Sequence, residues 1–193
     1  MDTAPLLLAG LIVLGYLLGS IASAIVVCRV LRRPDPRTGG SRNPGTTNVL
    51  RVAGRDAAAL TLAGDMLKGL AAVAVARALT PEPAAWALAG AAAFFGHLYP
   101  VFFAFRGGKG VATALGALLG ATPWAGLMAV ATWLVVVAVA RVSSVAALVT
   151  FALAPAYVGW VTRMPALVAV AAVVSLALFW RHRGNVLRLL GKA

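Results

Sequence analysis

Gly96-His97-Leu98-Tyr99-Pro100-Val101-Phe102-Phe103-Ala104-Phe105-Arg106-Gly107-Gly108-Lys109-Gly110-Val111-Ala112-Thr113 is the stretch on which the reading of this chain turns. It leaves one apolar run at Gly96, His97 and Pro100 and crosses three phenylalanines. It then interleaves Arg106 and Lys109 with Gly107, Gly108 and Gly110 before another apolar run begins. Glycine frees the backbone for positive φ, so consecutive N–H groups can converge on an anion, and the helix predicted to follow presents the positive end of its dipole. Arg106 and Lys109 add full charges to such a phosphate or carboxylate cradle. A second reading is a flexible basic turn between two membrane helices. It explains the charges through the positive-inside rule, but it does not require three glycines around a lysine. The turn is not a Walker A loop, because Gly110 follows Lys109 where that motif has Ser or Thr.

The runs on either side decide the class. Of 193 residues, 62% are hydrophobic and 11% charged, and the mean hydropathy is +0.93. That composition excludes a soluble globular domain and predicts an all-α integral membrane protein with a single transmembrane domain over residues 1–193. Apolar runs at 6–28, 57–76, 84–104, 111–121, 124–140, 143–162 and 165–180 predict a seven-helix bundle. The fourth helix is short against the roughly 20 residues a span needs, so a half-embedded position would have to be shielded by protein. The first run follows Asp2 with no basic residue before it and continues to Cys28, which fits a retained span and not a cleavable signal peptide. Cys28, the lone cysteine, reads as a small buried hydrophobe.

The 17 Lys and Arg against 5 Asp and Glu give a net charge of +12. In a membrane protein this excess first reports orientation, and then anionic lipids or substrates; nucleic acid is not implied. If the fourth helix crosses, an outside N-terminus puts Arg29, Arg32, Arg33, Arg37, Arg42, Arg51, Arg55, Arg106, Lys109, Arg141, Arg181, Arg183, Arg188 and Lys192 in the cytoplasm. Only Arg77 and Arg163, with the acids Asp2 and Glu82, remain outside. The asymmetry predicts N-terminus outside and C-terminus cytoplasmic. Gly15 with Gly19 and Gly116 with Gly120 have the small-xxx-small spacing of close helix contacts, read here as packing within the chain.

Three further groups carry polar chemistry. Residues 39–51, in the long polar segment after the first run, combine Ser41, Asn43, Thr47 and Asn48 with Gly45 and Arg51. Such a segment can wrap a small polyoxygenated ligand, with Arg51 as a bidentate fork for phosphate; it also has the composition of an ordinary turn-rich connector. Asp65 and Lys68 stand three apart inside an otherwise apolar run and share a helix face, either pairing with each other or facing a polar cavity. Arg181-His182-Arg183-Gly184-Asn185-Val186-Leu187-Arg188 fits a membrane-surface anchor, but the spacing of His182 and Asn185 on one helical face goes beyond what an anchor needs.

On this topology the 96–113 turn, the 39–51 segment and the C-terminal group lie at the cytoplasmic side, a strongly cationic surface with few carboxylates, suited to phosphate dianions beside an apolar groove for a lipid chain. The sequence contains no metal-ligand set, no Gly-x-Ser-x-Gly elbow and no paired acids for glycoside chemistry. Two other readings are a carrier for a phosphorylated metabolite and a lipid-binding scaffold. No internal repeat supports the carrier.

In order along the chain, these groups resemble the pattern of the bacterial acyl-phosphate:glycerol-3-phosphate acyltransferase family (PlsY). The pattern is Gly-Ser-Gly-Asn-x-Gly-x-Thr-Asn-x-x-Arg, Asp-x-x-Lys-Gly, Gly-His-x-x-Pro-x-Phe-x-x-Phe-x-Gly-Gly-Lys-Gly-Val-Ala-Thr and His-Arg-x-Asn-x-x-Arg-Leu. The matching residues are Ser41, Asn43, Gly45, Thr47, Asn48 and Arg51, then Asp65, Lys68 and Gly69, then Gly96, His97, Pro100, Phe102, Phe105 and 107–113, and finally His182, Arg183, Asn185, Arg188 and Leu189. Arg42 stands where the family usually has glycine, Pro44 replaces a common isoleucine, and the tail lacks the usual acidic residue.

The resemblance implies transfer of a fatty acyl group from acyl phosphate to the primary hydroxyl of glycerol 3-phosphate, giving lysophosphatidic acid and inorganic phosphate without a cofactor or metal. It places the enzyme in the bacterial inner membrane with its site at the cytoplasmic face, and it implies a partner in the enzyme that makes acyl phosphate. Ser41, Arg51, His97, Lys109, His182 and Asn185 are the candidate catalytic residues. Asn43, Gly45, Thr47, Asn48, Asp65, Lys68, Arg106, Gly107, Gly108, Gly110, Thr113, Arg183 and Arg188 complete the candidate substrate-binding set. His97, His182 or a substrate phosphate are the candidate proton acceptors.

Overall fold

The computed structural model describes residues 4–189 and Gly191. Asp2 and Lys192, both used in the charge count above, lie outside them. Among the described residues every regular element is helical: nine α-helices and one short 3₁₀ turn. All seven apolar runs are present as helices, but the first is in two pieces, α1 (Ala4–Gly19) and α2 (Ser23–Val30), bent by 41°. One helix lies outside the runs, α3 (Thr46–Ala53), in the polar segment. Then come α4 (Arg55–Leu79), α5 (Pro83–Leu98), the 3₁₀ turn Val101–Phe103, α6 (Val111–Ala121), α7 (Pro123–Ala140), α8 (Ser143–Thr162) and α9 (Pro165–Leu189). Five helices are long and apolar enough to cross a membrane, six with the bent pair counted as one span. The third apolar run ends its α-helix at Leu98, short of 104, because Pro100 cannot continue it.

The chain divides into two compact units, Met1–Ala121 and Thr122–Ala193. In the first, α1 packs on α5, and α4 packs on both α5 and α6. The small-residue stripes make these contacts possible. A Cβ on Gly15 or Gly19 would strike the carbonyls of Ala89 and Ala93 in α5, and one on Gly116 would strike the Met66 carbonyl in α4. Both stripes thus serve contacts within the chain.

The break between α1 and α2 is held by polar partners, as backbone at membrane depth must be. The Ser20 hydroxyl donates to the Tyr16 carbonyl at 2.8 Å, and Lys68 donates to the Ile21 carbonyl at 2.8 Å. The Tyr16 hydroxyl donates to the Tyr99 carbonyl at 2.6 Å, tying α1 to the end of α5.

In the second unit, α7 packs on α8 and α8 on α9. Thr132 and Tyr157 share a hydroxyl hydrogen bond of 2.8 Å between α7 and α8. Arg141 and Arg163 close α7 and α8 in the left-handed conformation, at φ of 54° each. Glycine is usual at such a helix end, so a basic residue there costs about 1 kcal/mol and keeps a charge at the membrane boundary.

Candidate active site

The polar segment 31–45 is a built loop. Arg37 Nη2 lies 2.6 Å from Asp35 Oδ2, and this guanidinium contact holds the Asp35 carboxyl below the usual carboxylate range. Asn48, on the first turns of α3, gathers the rest. Its amide nitrogen donates to the carbonyls of Pro36 at 2.7 Å and Gly39 at 3.2 Å, and its oxygen accepts from Ser41 N–H at 2.8 Å. Gly40, at φ 58°, passes so close to that oxygen that a Cβ would collide with it. Asn48 is 2% exposed with its amide engaged three times, so it clasps the loop. Ser41, Thr47 and Arg51 are exposed, while Asn43 and Gly45 are half-buried. Arg42 adopts φ 57°, the left-handed region, which explains why glycine suits this position in the family pattern.

The 107–110 turn differs from the simple amide nest its glycines imply. Gly107 N–H donates to the Leu98 carbonyl and Gly108 N–H to the His97 carbonyl, each at 3.2 Å, so these two amides stitch the turn to the end of α5. Of the three glycines only Gly110 uses a positive φ, 84°. Gly107 and Gly108 are needed for close approach: a Cβ would meet the His97 carbonyl at the first and the His97 ring at the second. The charge at this turn is Lys109, half-buried before the start of α6, whose opening N–H groups have no intrahelical acceptor. Arg106 is exposed. Thr113 is fully buried at the α4–α6 contact, where its carbonyl faces Gly69. Ala104 and Phe105 enter the turn at φ of 53° and 58°, two consecutive strained residues before the glycines.

Asp65 and Lys68 are 2% and 6% exposed and face one another on α4, with Nζ 2.9 Å from Oδ1. The approach is close but poorly aligned, since Oδ1 makes no well-directed hydrogen bond. It is best described as an ion pair. Lys68 Nζ also reaches His97 Nδ1 at 2.9 Å. These three residues form a buried polar core at the foot of the turn. Burying them in apolar helices is costly unless each satisfies the others.

The first unit therefore brings three sequence motifs to one place. His97 bonds Lys68 through one ring nitrogen and abuts Gly108 with the other. The Pro44 carbonyl of the loop lies 3.1 Å from where a Gly108 Cβ would stand. The fourth motif lies in the second unit, where α9 continues through it: His182 is buried with Nδ1 2.9 Å from the Leu178 carbonyl, Asn185 is half-buried, and Arg188 is exposed. Arg183 donates to the Trp180 carbonyl at 3.1 Å and stacks on the Trp180 ring at 4.5 Å. Sequence reading missed the Ile21 and Pro44 carbonyls, and no side-chain pattern announces a backbone acceptor.

The family model for glycerol-3-phosphate acyltransferase matches residues 9–192. The chain belongs to the glycerol-3-phosphate acyltransferase family. A glycerol-3-phosphate acyltransferase of Halorhodospira halophila is 54% identical over 179 residues, covering 93% of this chain and 91% of the relative. One from Thioalkalivibrio sulfidiphilus is 53% identical over 186 residues, covering 96% and 92%. Among solved structures, the glycerol 3-phosphate form of PlsY (YgiH), an integral membrane glycerol 3-phosphate acyltransferase, superposes with a TM-score of 0.89 at 34% identity. It covers 96% of this chain and 93% of that one. The lysophosphatidic acid form of the same protein gives 0.86 at 33%. Family membership and this likeness make the chain a multi-pass membrane acyltransferase.

Proposed function

We propose that this chain transfers a fatty acyl group from acyl phosphate to the primary hydroxyl of glycerol 3-phosphate. The observation that carries the reading is the meeting of the 39–51 loop, the Asp65–Lys68 pair and the glycine-lysine turn around His97 and Gly108. To that site we assign Lys109, the opening of α6, and the exposed Ser41 and Arg51. Two dianions side by side repel strongly unless cations stand between them, and Lys109 and Arg51 serve that purpose. The hydroxyl oxygen attacks the acyl carbonyl carbon, the carbon–oxygen bond to phosphate breaks, and the phosphate departs with the electron pair. The hydroxyl proton ends on the released phosphate. Because the leaving group is already good, positioning and electrostatic stabilisation supply most of the rate. The glycerol 3-phosphate and lysophosphatidic acid forms of the related PlsY support the acceptor and the product.

We place the chain in the bacterial inner membrane as one catalytic domain with seven crossings, the bent pair α1–α2 and the short α6 each counting as one. The N-terminus is outside, and the C-terminus and site are cytoplasmic, as the distribution of basic residues supports. His182 and Asn185 take part from α9, and acyl phosphate comes from a separate enzyme.

Purified protein in detergent should release inorganic phosphate and form lysophosphatidic acid in equal amounts when given both substrates, which no carrier would do. Lys109→Ala should lower that rate at least about a hundredfold, the scale of losing a charged oxyanion or phosphate contact, while the protein stays folded. A variant keeping most of the parental rate would contradict the assignment of Lys109.

A further inference from the structure

Three acceptors stand at bonding range around Lys68 Nζ: the Ile21 carbonyl at 2.8 Å, His97 Nδ1 at 2.9 Å and Asp65 Oδ1 at 2.9 Å. An ammonium, which has N–H donors and no lone pair, donates to the first two and forms an ion pair with the third. A neutral amine would leave the Asp65 carboxylate buried in an apolar helix without a cation. If Lys68 donates to Nδ1, that nitrogen holds a lone pair and the ring proton sits on Nε2. The competing arrangement, Nδ1–H donating to Asp65, would span 3.4 Å, beyond the ordinary N–H···O range. Nε2 is the atom a Cβ on Gly108 would strike, so its N–H is delivered to the 107–110 turn. At His182 the logic reverses. A carbonyl only accepts, so at 2.9 Å from Leu178 O the Nδ1 of His182 donates and Nε2 keeps its lone pair.

We infer that the two histidines are locked in opposite tautomers, His97 as an Nε2–H donor set by Lys68 and His182 as an Nε2 acceptor set by the Leu178 carbonyl. Their chemical use rests on the acyl-transfer reading. His97 donates toward the negative oxygens of bound substrate and does not take the hydroxyl proton. Lys68 is a positioning residue that acts through His97, and Asp65 keeps Lys68 charged.

Imidazole nitrogen NMR of ¹⁵N-histidine-labelled protein in detergent, without substrate, reads both tautomers. One Nε2–H and one Nδ1–H pattern are expected, the second disappearing in His182→Gln. In Lys68→Met the His97 pattern should turn to Nδ1–H, donating to Asp65. In Lys68→Met with Asp65→Leu, which leaves no unpaired charge, it should become a mixture. A parent spectrum with His97 carrying its proton on Nδ1, or a His97 pattern unmoved in both variants, overturns the inference.

Turnover supplies a second arm. The amide nitrogen of Gln falls near Nε2 and that of Asn near Nδ1, so His97→Gln should retain about tenfold more activity than His97→Asn. Equal losses would refute donation through Nε2. A protein showing both tautomers but no acyl transfer would count against the proposed reaction while the tautomers stand.

Discussion

Gly108 shows how residue types that read as backbone freedom in sequence act otherwise in three dimensions. It does not use a positive φ; its role is to let the His97 ring lie against the turn. Gly108→Ala should therefore displace His97 and lower turnover by at least about tenfold, because overpacking a rigid site costs about 1–3 kcal/mol. A variant with parental activity would show that the His97–Gly108 contact is dispensable. Arg51 poses the opposite question, being exposed on the last turn of α3 with nothing in sequence to separate a phosphate fork from an orientation charge. Arg51→Lys keeps the charge and loses the planar fork, so a fall of at least about tenfold in kcat/KM is expected; an unchanged value would leave Arg51 as a positive-inside charge only. The pairing of Asp65 with Lys68 was legible from their spacing. The clasp made by Asn48 was not, because it depends on the Pro36 and Gly39 carbonyls, which no side-chain pattern announces.

At the scale of elements, hydropathy located all seven apolar helices, and the 11-residue length of α6 follows from its run. What hydropathy hid was the break at Ser20, Ile21 and Ala22. These residues are apolar or small enough to pass for helix, and the break persists because the Lys68 ammonium captures the Ile21 carbonyl from another helix. Helix α3 was also missed: eight residues with three polar ones at its start read as loop, and its packing on α4 makes it helical. The number of crossings is tested by cysteine labelling in intact cells. Positions near Gly40, and the 107–110 end of α6, should label from the cytoplasm, and Thr122 at its other end from outside. Labelling of both ends of α6 from one side would make it re-entrant and invert α7, α8 and α9.

For the whole molecule, the sequence motifs are in order and the fold is that of a membrane glycerol-3-phosphate acyltransferase, so the open question is what donor the site takes. A phosphate leaving group is a compact dianion that a short glycine-lysine turn and the opening of one helix can hold. Coenzyme A carries a nucleotide that favours a larger, partly aromatic pocket, and residues 29–56 contain no aromatic side chain to stack on an adenine. The most direct measurement compares initial rates of lysophosphatidic acid formation by purified protein given glycerol 3-phosphate with either acyl phosphate or acyl coenzyme A of the same chain length. Acyl phosphate should turn over and the thioester should give no comparable rate. A thioester rate equal to that of acyl phosphate would contradict the donor and the role of the turn as a phosphate site.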